Sequence, residues 1–158
     1  LDENTLVQSI LLWSALPGAS RHHWGTDFDV IDRAALADGA RPRLRRGEYV
    51  RGGVFEALND WLTEHAADFG LFRPYDQDRG GVQPEPWHLS FAPLSAPALQ
   101  ELTLDVLANA LLGAELEGRT SVFTRLPEFH ERYVRAVAAP SARSLAAGSR
   151  ISRAARPS

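Results

Sequence analysis

Three stretches of the chain carry apolar residues at the three- and four-residue spacing of a helix packed on a core. They run over residues 54–69, 96–112 and 126–138. Gly70 follows the first stretch and Gly113 follows the second, and glycine commonly closes a helix. The pattern therefore predicts three helices, each with one apolar face turned to a core.

Four shorter stretches predict strands, at residues 10–14, 26–32, 43–50 and 87–91. In the second of these, Asp27 and Asp29 alternate with Phe28 and Val30, so that one face of the strand carries two carboxylates. The order of elements lacks the strand–helix–strand alternation of a parallel, doubly wound sheet. The chain is therefore expected to have an α+β fold, with helices flanking a small antiparallel sheet.

Length and composition favour one folded domain over residues 1–138, since a chain of 158 residues fits a single core. Residues 139–158 are rich in Ala, Ser and Arg and are predicted to form a mobile tail; the alternative is an anchor to an anionic wall or membrane surface. No apolar run approaches the roughly 20 residues of a membrane span. The first residues do not resemble a signal peptide, which indicates a cytoplasmic protein, a mature form or a fragment.

Charge and cysteine content limit the classes of function. All seventeen basic residues are Arg, and four of them fall in 139–158, which leaves thirteen against the twenty acidic residues of the remainder. An acidic domain is not expected to bind nucleic acid. With no cysteine, any zinc must be held by His, Asp or Glu, which is typical of catalytic rather than structural zinc.

Two segments, 17–29 and 84–88, combine histidines and carboxylates with turn residues and aromatics. Of the five histidines, only His22, His23 and His88 lie in such surroundings, where an open cleft can form. A catalytic zinc site needs about three such ligands and a fourth position for water. A nearby carboxylate is also required, to take the proton of the attacking water.

The spacing of the candidate groups requires bends in the chain. Asp29 follows His22 by an odd number of residues, so an unbroken strand would place the two on opposite faces, and Gly25 must turn the backbone if they are to meet. Glu85 and His88 are separated in the same way. Neither pair is specific for a metal site by itself.

Taken in order, the two segments carry a specific resemblance. Ser20-x-His22-x2-Gly25-x3-Asp29, followed by Glu85-Pro86-Trp87-His88, resembles the paired signature of the VanY-type D-alanyl-D-alanine carboxypeptidases, which are bacterial zinc peptidases. Residues 61–75 resemble the helix and strand that join the two motifs in that family. The similarity extends over residues 16–92.

The resemblance implies a role for each matched residue. His22, Asp29 and His88 match the ligands of one zinc ion per chain, on the sheet, and Glu85 matches the general base. Ser20 matches a position beside the substrate. The implied fold, an antiparallel sheet with flanking helices, agrees with the prediction from the pattern.

The chain departs from the family at two points. Family members usually have a small residue at the position of Asp27, which is expected either to bond a ligand histidine, the favoured alternative, or to reach water. The family also carries an Arg upstream that pairs with the carboxylate of the substrate, and no Arg precedes Ser20. Either that N-terminal part is missing from this chain, or another Arg replaces it. Arg73 and Arg79 are the candidates to replace it, since guanidinium groups bind carboxylates in a bidentate manner.

The expected function is zinc-dependent hydrolysis of peptidoglycan stem peptides, as a D-alanyl-D-alanine carboxypeptidase. Two alternatives remain: a cell-wall endopeptidase of the same fold, and a zinc-containing binding module without turnover, like the animal Hedgehog signalling domain, which shares this site architecture. The substrate implies a periplasmic or exported protein, although a cytoplasmic location stays open. The sequence does not indicate an oligomeric state.

Overall fold

The computed structural model describes residues 2–147 of the chain. The helices and strands are α1 (Glu3–Leu11), β1 (Asp27–Asp29), α2 (Arg46–Tyr49), α3 (Glu56–His65), β2 (Leu71–Phe72), β3 (His88–Phe91), α4 (Ala92–Glu101), α5 (Leu104–Leu112), α6 (Arg119–Thr124) and α7 (Leu126–Phe129). The structure also contains two 3₁₀ turns, Arg21–Trp24 and Ala66–Phe69, and a π-helical segment, His130–Arg135. The fold is α+β, as predicted.

The sheet has three strands in the order β1-β3-β2, and both pairings are antiparallel. The register places Asp27 opposite Ser90 and Asp29 opposite His88. Because side chains alternate along a strand, these four lie on the same face of the β1–β3 pair. That face is the polar one, and it carries the candidate site.

The opposite face of the sheet is apolar and packs on α3. Leu89, between the two polar residues of β3, is buried against Leu62 and Ala66. A second core lies among the C-terminal helices, where Leu107 and Phe129 are fully buried. The sheet is thus held by apolar packing on one side and is free to present polar groups on the other.

The predicted helices are present, with one interruption. The 54–69 helix is confirmed as α3 followed by a 3₁₀ turn, and the 126–138 helix as α7 followed by the π-helical segment. The 96–112 helix is divided into α4 and α5. The division falls at Thr103, whose hydroxyl accepts the backbone N–H of Val106 and so starts a new helix.

The strands predicted at 26–32 and 87–91 are confirmed as β1 and β3, although both strands are shorter than predicted. The strand predicted at 10–14 is wrong. Those residues form the end of α1 and the turn after it. The helix begins at Asp2, whose carboxylate accepts the backbone N–H of Thr5. A well-placed N-cap therefore determines a structure that the short apolar run did not indicate.

The strand predicted at 43–50 is also wrong, since this segment contains the short helix α2. The carboxylate of Glu48 accepts the backbone N–H groups of Arg43 and Arg45 at the start of that helix. These hydrogen bonds form a turn before α2. In a strand, the Glu48 carboxylate could not reach the two backbone N–H groups.

Part of the predicted tail falls within the described residues. Residues 142–147 are helical, and Ser144 and Ala147 are buried. The Ser144 hydroxyl donates a hydrogen bond to the carbonyl of Leu71 in β2 at 3.2 Å. The packed chain therefore extends past residue 139, while 148–158 lie outside the described residues.

No helix within residues 2–147 has the length and apolar character needed to cross a membrane.

Candidate metal centre

A bend in the first motif brings His22 to Asp29. The 3₁₀ turn Arg21–Trp24 ends at Gly25, which has a left-handed backbone with φ of 72° and donates its N–H to the His22 carbonyl at 3.1 Å. The chain then enters β1, and His22 Nε2 lies 3.7 Å from Asp29 Oδ1. The bend predicted at Gly25 is confirmed. Glycine can form it because a residue without a Cβ adopts the left-handed conformation without a steric penalty.

The second motif reaches the same place through the sheet. His88 is the first residue of β3 and lies opposite Asp29 in the register. A turn in which the His88 N–H donates to the Glu85 carbonyl at 3.1 Å brings the Glu85 side chain back over the histidine. His88 Nδ1 is 3.4 Å from Asp29 Oδ1 and 3.3 Å from Glu85 Oε2.

His22, Asp29 and His88 together form a group that can hold a cation, with one ligand atom from each and all three atoms within 4.8 Å of one another. His22 Nδ1 lies 3.2 Å from the Asp27 carbonyl oxygen, which leaves Nε2 for a metal. His88 Nδ1 is buried and has no hydrogen-bond partner. Two nitrogens and one carboxylate oxygen suit zinc. The third candidate histidine, His23, is exposed and not in this group.

Behind these residues lies a buried polar cluster centred on Asp27. Its Oδ2 accepts a hydrogen bond from Arg21 Nε at 2.7 Å and lies 2.9 Å from His88 Nε2. Its Oδ1 accepts hydrogen bonds from the hydroxyls of Thr26 at 2.6 Å and Ser90 at 2.9 Å. Asp27 therefore bonds His88, a candidate ligand histidine, which agrees with the favoured expectation for this residue.

The cluster shifts the titration of both partners. Burial by itself raises the pKa of Asp27, but the hydrogen bond with His88 and the charge of Arg21 outweigh it and lower that pKa to about 2. Burial lowers the pKa of His88, whereas the hydrogen bond with Asp27 and the nearby carboxylates of Asp29 and Glu85 raise it to about 10. In a metal-free protein the ring is therefore protonated on both nitrogens and positively charged at neutral pH, and a cation must displace one of these protons.

Two of the candidate ligands, His22 and His88, line a cleft with a volume of about 300 Å³. Its lining includes Ser20, His22, Glu85 and His88, with Trp13 and Tyr75 as aromatic walls. Ser20 therefore lines the same cleft as His22 and His88. The Tyr75 ring contacts His88 edge-on, with 4.9 Å between centroids.

Two tryptophans close to the motifs, Trp87 and Trp24, do not line the cleft. Trp87 is buried with Tyr49 in a core cluster, and Trp24 packs beneath the guanidinium of Arg21 at 4.7 Å. Trp13 was part of a predicted strand, and it is 61% exposed at the end of α1. Nothing in the local sequence indicated that Trp13 or Tyr75 lines the site.

Neither candidate for the substrate-binding arginine lines the cleft. Arg73 donates to the Pro86 carbonyl at 3.0 Å and to groups of Thr63 and Asn59 on α3. Arg79 donates to the carboxylate of Asp76, three residues earlier in the same loop. The geometry does not support a role for either in substrate binding. Arg73 instead ties the Glu85-containing segment to α3.

Comparison with known proteins places the cleft within a matched region. The model of the VanY family, described as D-alanyl-D-alanine carboxypeptidase, matches residues 2–94, which include every residue named above in the cleft. An uncharacterized protein of Haemophilus influenzae (strain ATCC 51907 / DSM 11121 / KW20 / Rd) is 33% identical over 121 residues, covering 75% of this chain and 92% of the relative. No solved structure matches the chain.

Proposed function

This chain belongs to the VanY family of D-alanyl-D-alanine carboxypeptidases, and on that premise we propose that it is a zinc-dependent D-alanyl-D-alanine carboxypeptidase acting on peptidoglycan stem peptides. One observation carries the proposal: ligand atoms of His22, Asp29 and His88, from segments far apart in the chain, lie within 4.8 Å of one another, and Glu85 lines the same cleft as the two histidines. Such a substrate implies action in the periplasm or outside the cell.

His22 Nε2, Asp29 Oδ1 and His88 Nδ1 would hold one zinc ion. The buried Nδ1 of His88 supports this, since it makes no hydrogen bond within the chain and faces the Asp29 carboxylate at 3.4 Å. When bound, zinc would polarise the scissile carbonyl and activate the attacking water. Three protein ligands would leave one coordination position of the zinc for water or substrate.

Glu85 is the proposed general base. Its side chain lines the cleft, and its closest charged neighbour is His88 at 3.3 Å. No arginine pairs with it among the described residues, so its carboxylate is free to accept the proton of the attacking water and pass it to the leaving amine. Ser20 is proposed to contact the substrate, since it lines the same cleft and its hydroxyl does not cap the turn that follows.

The test combines zinc content with turnover in Glu85→Gln. Elemental analysis is expected to give one zinc per chain in both the unchanged protein and the variant. Release of D-alanine from an acyl-D-alanyl-D-alanine peptide is expected to fall about 10²- to 10⁴-fold in the variant, which is the usual contribution of a general base. Glu64→Gln, at an exposed carboxylate on α3, is the control. Retained turnover in Glu85→Gln, with zinc bound, would remove Glu85 from this role.

One observation favours a second candidate, a cell-wall endopeptidase. Among the described residues the cleft is lined by a single arginine, Arg21, which is buried and bonded to Asp27 and Ser90. A site without an accessible arginine has less means of selecting a free carboxylate. The products distinguish the two: free D-alanine for the carboxypeptidase and larger fragments for the endopeptidase. A binding module without turnover is disfavoured, because it has no need of Glu85.

A further inference from the structure

Arg21, Asp27 and His88 form a continuous line of contacts beneath the floor of the cleft. Arg21 Nε is 2.7 Å from Asp27 Oδ2, and the same oxygen is 2.9 Å from His88 Nε2. We propose that Arg21 and Asp27 act as one unit of positioning residues, which fixes the His88 ring so that its Nδ1 faces the metal. Neither residue would contact the metal or the substrate.

The Asp27 carboxylate is held from several directions. Besides Arg21 and His88, the hydroxyls of Thr26 and Ser90 donate to its second oxygen. The Ser90 hydroxyl is in turn 2.7 Å from that of Ser95 in α4. A carboxylate with this many buried partners has one orientation, and it transmits that orientation to the histidine.

The contact with Asp27 determines which nitrogen of His88 remains available. With Nε2–H donated to Asp27, the free nitrogen is Nδ1, which is buried and without a partner 3.4 Å from Asp29 Oδ1. The Tyr75 ring packs edge-on against the imidazole at 4.9 Å and limits its rotation. The ring is thus prepared to bind a metal through Nδ1 alone.

Arg21 offsets the cost of burying the Asp27 carboxylate. A carboxylate out of contact with water is costly unless a cation pairs with it. Arg21 is only 4% exposed, stacks on Trp24 and donates from Nη2 to Ser90 at 2.7 Å. Replacing both residues should therefore restore stability but not zinc affinity, because the contact between Asp27 and the histidine is lost in either case.

The test compares Asp27→Ala with the double variant Arg21→Met/Asp27→Ala. Zinc dissociation constants would be measured by competition with a chelator, and the melting temperature would be measured on the chelated form of each protein. The matched control is Arg125→Met/Glu128→Ala, which removes an exposed ion pair away from the cleft. The side-chain N–H of His88 in the zinc form, observed by ¹⁵N NMR, is a third readout.

The expected result is that the double variant regains stability lost in Asp27→Ala while zinc affinity stays about 10- to 100-fold below that of the unchanged protein, the usual effect of removing such a partner. The Nε2–H signal of His88 should exchange faster with water in both variants. Wild-type zinc affinity in the double variant, with the signal unchanged, would overturn the proposal and leave the pair a structural tie.

The inference rests on the metal site of the proposed function but not on turnover. If the unchanged protein binds zinc without hydrolysing the peptide, the proposed function fails while the positioning unit is still measured by zinc affinity. If the unchanged protein binds no zinc, both fail.

Discussion

Arg73 offers the sharpest contrast between a role in substrate binding and a role in the scaffold. Its guanidinium donates to the Pro86 carbonyl at 3.0 Å, to the Thr63 hydroxyl at 3.0 Å, and to the carbonyl and side-chain oxygens of Asn59 at 3.3 and 3.0 Å. Burial lowers the pKa of this guanidinium. Arg73→Ala would remove all of these bonds and release the segment before β3 from α3.

The magnitude follows from the number and exposure of the bonds. A hydrogen bond to a charged group contributes roughly 1.5–3 kcal/mol when buried. The bond to Thr63 is exposed and the others are only partly buried, and all share one side chain, so their contributions do not add fully. We expect Arg73→Ala to lower the free energy of unfolding by about 3 kcal/mol. For a domain of this size that corresponds to a fall in melting temperature of about 6–12 °C.

The assay is urea denaturation and thermal melting of Arg73→Ala beside Arg79→Ala, with KM and kcat measured well below both melting temperatures. Arg79 is the matched control, since it lies in the same loop region and bonds to Asp76 at the surface. Its replacement should change stability by less than about 1 kcal/mol. If Arg73→Ala has the same free energy of unfolding as Arg79→Ala and a KM raised tenfold or more, the structural role is refuted. Arg73 would then be a residue that binds the substrate.

Two further predictions concern the metal-free protein and the loop before Glu85. The pKa of His88 is raised to about 10 in the folded protein, so its protonation contributes stability that is fully present below the unfolded pKa near 6.5 and is lost as pH rises toward 10. Urea denaturation with a chelator should therefore give a lower free energy of unfolding at high pH than near pH 5. Equal free energies at the two pH values would contradict this prediction. A Cβ at Gly81 would lie 1.9 Å from the Arg132 carbonyl oxygen. Gly81→Ala should therefore displace the loop and destabilise the protein by about 1–3 kcal/mol, whereas Gly47→Ala, with open space at that position, should not.

The sequence by itself determined features that depend on neighbours along the chain. The apolar period of 54–69 predicted α3, because one face of a helix must be covered by a core. The odd spacing between His22 and Asp29 required a bend, and Gly25 was the residue able to provide it. The motif order carried the resemblance to the family, which the comparison bears out.

Local patterns misled where a few polar contacts outweighed them. The apolar run at 10–14 resembled a strand, yet the N-cap at Asp2 begins a helix that extends to Leu11. The segment at 43–50 was decided by Glu48, whose carboxylate closes the turn before α2. A single capping side chain is worth about 1 kcal/mol, enough to decide between a helix and a strand in so short a segment.

Only the tertiary structure decided what surrounds the candidate metal. Asp27 and His88 are 61 positions apart, and the antiparallel register of β1 and β3 brings them together. The same packing sends Arg73 to α3 and turns Trp13 and Tyr75 toward the cleft. Spacing along a chain reports the geometry of one element, whereas strand register and helix packing are set by contacts between distant segments. The residues that position a site, unlike those that form its motif, therefore become visible only in the folded molecule.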